Sequence, residues 1–169
     1  MSDDPLRNLR ALRHKLGHHS ARLDRVHAGS LACRRGCDGC CQTERSVNAV
    51  EFRALEEAAA PLSPETRQRL SGQIEADHCS LLLDGACALY ADRPLICRSQ
   101  GYPLAIEEQR VVCPLNLEGV DLADLPDEAV LSVDALSAIL VAVNHLYCQE
   151  EDQDPQQKRA VGELFSQPA

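Results

Sequence analysis

Residues 33–41 read Cys33-Arg-Arg-Gly-Cys37-Asp-Gly-Cys40-Cys41, four thiols within nine residues, with Gly36 and Gly39 between them. The stretch is too rich in glycine, cysteine and charge for a helix or a strand, and the two glycines free the backbone to wrap round an ion. Short Cys-x3-Cys and Cys-x2-Cys loops bring soft thiolate donors together, which suits tetrahedral zinc and iron–sulfur clusters. The loop therefore predicts a chain organised by cysteine-bound metal, with the regular elements arranged around it.

Working outward, Cys79, Cys87, Cys97 and Cys113 join Cys33, Cys37, Cys40 and Cys41 to make eight ordered candidate metal ligands. Neighbouring side chains of an extended chain point to opposite sides, so Cys40 and Cys41 are expected to face separate sites. Eight thiolates would fill two four-thiolate centres, and more than one metal centre is expected. Such a centre carries net negative charge that nearby cations must offset. Arg93 and Arg98, flanking Cys97, are the candidates to surround it, with Arg34 and Arg35 next to the first loop. Cys148 lies apart and reads as a small buried hydrophobe. With eight thiols at hand, His78 and His145 are set aside as spare ligands.

Nine cysteines stand against five aromatic residues, three Tyr and two Phe, with no Trp in 169 residues. So few rings leave a modest apolar core, and metal is expected to supply the missing order. A hydrophobic fraction of 44 % argues against wholesale disorder, while 25 % charged residues and no long apolar run argue against a membrane span. Residues 1–7 lack the apolar run of a secretory leader, so the cytoplasm is the expected compartment. Disulfides rarely persist there, which favours ligands, catalytic thiols or buried cysteines over a disulfide scaffold.

The net charge of −9 opposes nucleic-acid binding. Residues 1–35 nevertheless carry net +5, leaving −14 on the remainder. A basic arm of this kind lies on its own acidic face or recruits an acidic protein partner.

Leu6, Leu9, Leu12, Leu16, Leu23 and Val26 recur at helical spacing and predict a helix over 5–27. Its His14, His18, His19 and His27 read as solvated positions, since no acidic or cysteine partner shares their turn. A short extended piece over 44–47 precedes an Asn48 cap and a helix over 49–60, stopped by Pro61. Ser63-Pro64-Glu65 starts a further helix reaching to about Ala76. Asp84-Gly85 marks a hairpin between residues 81–83 and 86–90. A two-residue loop there would put Cys79 and Cys87 on opposite faces, and a bulged three-residue loop on the same face. Turns and short segments run from Pro94 to Cys113-Pro114. Ser132 then caps a last helix in which Leu136, Leu140, Val143 and Tyr147 share a face. The expected organisation is a basic amphipathic helix (1–30), a cysteine-cluster domain (31–148) and an acidic flexible tail (149–169). The fold class is a small single-domain α+β protein, mostly α with a small hairpin and irregular metal-organised loops.

Cys33-x3-Cys37-x2-Cys40-Cys41, Cys79, Gly85-Ala-Cys87-x2-Tyr90, Arg93-Pro94-x2-Cys97-Arg98 and Cys113 together resemble a bacterial cysteine-cluster family. That family is described as zinc- or iron-chelating and includes the YkgJ-like proteins. The resemblance implies metal binding. A similar cluster in larger flagellin lysine N-methylase proteins implies an iron–sulfur centre, and with it an enzyme or electron carrier by analogy. The chain shows no glycine-rich cofactor loop or methyl-donor motif, which counts against a self-contained methyltransferase. A metal chaperone or interaction module, using the basic helix, is the other alternative. Zinc fits closed four-thiolate sites, and iron–sulfur fits the Cys113-Pro114 dipeptide, so both metals stay open here.

Overall fold

The computed structural model describes residues 4–74 and 77–166. In chain order its elements are α1 (Arg7–Val26), β1 (Ser46–Asn48), α2 (Ala49–Ala59), α3 (Pro64–Ser71), β2 (Leu82–Leu83) and β3 (Ala86–Cys87). They continue as α4 (Leu95–Ser99), β4 (Leu104–Ile106), β5 (Gln109–Val111), β6 (Leu131–Ser132), α5 (Val133–Glu151) and β7 (Lys158–Ala160). Helices with small two- and three-stranded sheets are the α+β mixture expected from the sequence. The chain divides into two compact units, and neither is continuous in sequence.

One unit gathers the first six residues, Arg35–Pro94 and Asn144–Ala169. The extended piece expected over 44–47 lies slightly later, as β1. Asn48 then caps α2 by accepting the Glu51 N–H at 3.2 Å. Ser63 caps α3 by accepting the Thr66 N–H at 3.2 Å, with Pro64 at the first helical position, where no N–H is needed. The helix ends at Ser71, and the expected end near Ala76 lies outside the described residues.

Within the segment expected as an acidic flexible tail, residues 158–165 form regular structure. β7 pairs antiparallel with β1, Ser46 opposite Ala160 and Asn48 opposite Lys158, and Val161 and Phe165 are buried. Reading the tail by its charge overlooked the apolar residues behind β7 and the unpaired backbone groups that β1 presents to it. Residues 167–169 lie outside the described residues. Val161 and Phe165 join Val47, Phe52, Leu55, Leu70, Leu81 and Leu89 in a core that also buries Cys79. Cys41 and Cys87 pack against it, so three candidate ligands sit in or on this apolar cluster. Burying a ring such as Phe52 contributes about 2–3 kcal/mol. The Arg159 guanidinium lies 3.4 Å from the centre of that ring.

The other unit contains Arg7–Arg34 and Leu95–Val143. α1 buries Leu9, Leu12, Leu16 and Leu23, as its period requires. Val26, expected on the same face, is 52 % exposed, because the helix ends there. His27 departs from its solvated reading: it is buried, and its Nε2 bonds the Ala129 carbonyl at 2.8 Å. The stretch expected to hold turns and short segments supplies β4 and β5, which join β6 in a sheet of order β5-β4-β6. β4 runs antiparallel to β5, with Leu104 opposite Val111, and parallel to β6, with Leu104 opposite Leu131. Arg110 fastens the following loop by donating to the carbonyls of Leu122 and Leu125 and pairing with Asp127 at 2.6 Å. Ser132 accepts the Ala135 N–H at 3.2 Å to open α5, on which Val143 and Tyr147 are buried.

Candidate metal centre

Four of the candidate ligands, Cys40, Cys41, Cys79 and Cys87, lie on neighbouring segments of the first unit. The Asp38-Gly39-Cys40-Cys41 segment closes a turn through a 2.7 Å bond from the Cys41 N–H to the Asp38 carbonyl. Alternation of side chains holds only for an extended chain, and Cys40 and Cys41 lie in this turn. Strand alternation therefore gives no reason, for this pair, to expect separate sites or more than one centre. Arg45 holds the turn by donating to the Cys40 carbonyl at 2.6 Å.

The Cys79 N–H donates to the Cys41 carbonyl at 2.8 Å, tying the second half of the site to the first. The hairpin that follows has the two-residue loop. Leu83 pairs with Ala86 and Leu82 with Cys87, around Asp84 and Gly85 at φ values of 51° and 73°. Both residues sit in the left-handed region, as a tight hairpin of this twist requires. The loop alone would have set Cys79 and Cys87 on opposite faces. A turn from the Cys79 carbonyl to the Leu82 N–H, at 2.9 Å, intervenes before the strand and resets the direction of Cys79.

The electrostatics reflect these neighbours. Burial pushes the Cys41 thiol up to about 12, with Cys40, Cys79 and Cys87 adding to the rise. Burial likewise pushes Cys79 up to about 11, with Glu44 and Cys87 adding and Arg45 opposing. Cys87 is also raised by burial, against the pull of Arg93 and Arg35. The backbone N–H of Leu81 bonds Cys79 and that of Leu89 bonds Cys87, each from two residues further on. Donors so placed favour the charged form of sulfur, the form a metal binds. Among the described residues no group of three or more His, Cys, Asp or Glu side chains is arranged to hold a metal ion. The four thiols lie within electrostatic range of one another without converging on one point. As chemistry, the donor set of soft sulfur with cationic neighbours fits zinc or iron.

In the second unit Asn116, 3 % exposed, knits the surroundings of Cys33. Its Oδ1 accepts the Ala32 N–H at 2.7 Å, and its Nδ2 donates to the Gly101 carbonyl at 2.6 Å and to Cys33 Sγ at 3.5 Å. Its own N–H bonds the Cys113 carbonyl at 2.9 Å. Gly101 has φ +98°, and a Cβ there would lie 2.3 Å from Cys33 Sγ. Cys97 and Arg98 lie on α4, four and three residues before that glycine. Three of the eight cysteines, Cys33, Cys97 and Cys113, thus belong to this unit, and Cys37 belongs to the first.

Of the residues expected to flank the metal, Arg93 acts on Cys87 and lies 3.7 Å from the centre of the Tyr90 ring. Cys148 is buried, as read, and hydrogen-bonds Asn144 at 3.8 Å. His78 bonds the Cys79 carbonyl at 3.2 Å through Nδ1, and His145 pairs with Gln149. Sequence reasoning missed Glu44. Its carboxylate accepts the Ser80 N–H at 2.7 Å, the Ser80 hydroxyl at 2.8 Å and the Gly162 N–H at 2.8 Å, fixing the residue after Cys79. Arg45 and Asn116 were not singled out for these contacts either. Their signal is distance in space, which sequence spacing does not carry.

No helix among the described residues is long and apolar enough to cross a membrane. Comparison with curated proteins and with solved structures gives no match. The family model of the CxxCxxCC domain, described as "Putative zinc- or iron-chelating domain", matches residues 32–114, the span that contains all eight candidate ligands. Over that span the chain is similar to this cysteine-cluster family.

Proposed function

We propose that the chain binds zinc or iron through cysteine thiolates, with Cys40, Cys41, Cys79 and Cys87 as the primary set. The observation that carries this reading is the backbone bond from Cys79 to Cys41, which joins the cysteine turn to the hairpin beside an apolar cluster packed against Cys41, Cys79 and Cys87. A bound ion would hold the four sulfurs in one geometry and cross-link the turn to the hairpin. This chain's residues supply the rest. Leu81 and Leu89 N–H groups stabilise sulfur charge, Arg35, Arg45 and Arg93 offset it, and Glu44 holds Ser80 in place. Cys33, Cys97 and Cys113 form the proposed second set, with Asn116 bonded to Cys33 and Cys113, and Cys37 and Arg98 are proposed to serve these sites. The reading belongs to a reducing cytoplasm, where thiols remain available. The basic face of α1 is the proposed docking element for an acidic protein partner, tested by neutralising Arg7, Arg10 and Arg13.

An iron–sulfur centre is the second reading, favoured by the all-sulfur donor set and by Cys113-Pro114. Anaerobic purification, with elemental analysis and an absorption spectrum on one sample, separates the two. Zinc gives a colourless protein, whereas iron with sulfide gives visible charge-transfer bands. Replacing Cys41 and Cys79 by serine should abolish metal retention in the first set, and full retention by the double variant would overturn the assignment.

A further inference from the structure

The cysteines do not exhaust the metal donors, because α1 carries another kind. His14 and His18 stand one turn apart on its exposed side, their rings edge to face at 80° with centres 4.5 Å apart. Their Nε2 atoms lie 3.3 Å from each other. Helical spacing brings two side chains together without aiming them, and here each ring presents the same nitrogen to the other. One Nε2 donates a proton and the other accepts it. Metal–imidazole bonds are roughly 2.0–2.1 Å long, so two imidazoles on one tetrahedral or square-planar ion hold their nitrogens roughly 3.0–3.4 Å apart. The observed separation falls within that bite.

We propose that His14 and His18 form a two-imidazole chelate for a borderline divalent transition-metal cation such as zinc, nickel or copper, with water in the remaining positions. The ion occupies the place of the shared proton. The donor ring moves its single N–H to Nδ1, both Nε2 lone pairs bind the ion, and two of its waters leave. Magnesium and calcium, which prefer oxygen donors, are excluded. His19 is turned about 100° round the helix from His18, and His27 is committed to the Ala129 carbonyl. Arg10 and Arg22 continue the same row one turn to either side, and their charge opposes a cation. Salt screens that repulsion, so binding here strengthens as ionic strength rises, the reverse of a purely electrostatic attachment.

The test is retention of the untagged full chain on immobilised nickel–iminodiacetate, read as the imidazole concentration needed for elution. Wild type, H19Q and H145Q should be held alike, while H14Q and H18Q should each elute at several-fold lower imidazole, and added sodium chloride should strengthen retention. Glutamine at these exposed positions keeps helix propensity, and circular dichroism of each variant verifies the fold. Metal held by the cysteines is measured on the same samples and should be unchanged, which separates failure here from failure of the thiolate reading. Equal elution of H14Q, H18Q and wild type, an equal loss in H19Q, or weaker retention at high salt would each overturn the proposal.

Discussion

Asn116 shows how much of a site can hang on one side chain that is not itself a ligand. Its amide satisfies the Ala32 N–H and the Gly101 carbonyl while donating to the Cys33 sulfur. Asn116→Ala should cost about 2–4 kcal/mol, since it orphans buried polar groups as well as removing bonds. Asn116→Asp keeps the acceptor and loses the donor, and it should fall between wild type and alanine. Gly101→Ala should cost a similar amount, because φ is +98° and the new Cβ would meet Cys33 Sγ at 2.3 Å. Urea denaturation of the full chain measures all three, and wild-type stability in Gly101→Ala would show that the Cys33 sulfur can move aside. The cysteine pattern was legible in the sequence, and the family model matches across it, because its spacing is local and chemically distinctive. Asn116 was not, because it is one polar residue among many in loops, and its partner Ala32 is 84 residues away.

At the scale of elements, the signals that could be read were those closed within a few residues. Asn48, Ser63 and Ser132 cap the helices they were expected to cap, and Asp84-Gly85 makes the expected hairpin. Two readings missed a changed local conformation and a distant partner. Cys40-Cys41 lies in a turn, where strand alternation has no force. β7 looked like tail because its partner β1 precedes it by more than a hundred residues, Ser46 opposite Ala160. The segment after β7 is held partly by Glu163, which accepts the Ala160 N–H at 2.9 Å and pairs with Arg159 at 3.0 Å. The hydrogen bond from Arg159 lowers the Glu163 pKa below its ordinary value. A carboxylate whose pKa is lowered by folding contributes stability above its unfolded pKa and loses it as pH falls through the folded one. Both groups are well exposed, so Glu163→Gln should cost no more than about 0.5 kcal/mol at pH 7. The difference from wild type should close as the solution is acidified through the carboxylate range. Urea midpoints at several pH values check this, and a gap that widens toward acid would contradict the ion-pair account.

At the scale of the whole molecule, the question is what holds loops that contain so little regular structure. The apolar cluster of the first unit has only Phe52 and Phe165 as aromatic members, and the segments bearing Cys40, Cys41, Cys79 and Cys87 join it through turns and a two-residue-long strand pair. Structural zinc in small thiolate sites contributes on the order of 10 kcal/mol to folding, comparable with the entire stability of an ordinary domain. Removing metal with a strong chelator under reducing conditions should therefore lower the melting temperature by more than about 10 °C. Hydrogen exchange should locate the effect. Amides of residues 38–45 and 79–93 should lose protection first, while α1, with Leu9, Leu12, Leu16 and Leu23 buried along one face, should keep its own for longer. Restoring zinc or iron should restore protection in the same segments. A chelated chain with an unchanged melt and exchange pattern would mean that apolar packing and the Glu44 and Arg45 bonds hold the loops by themselves. In that case bound metal would be cargo carried by the fold instead of one of its supports.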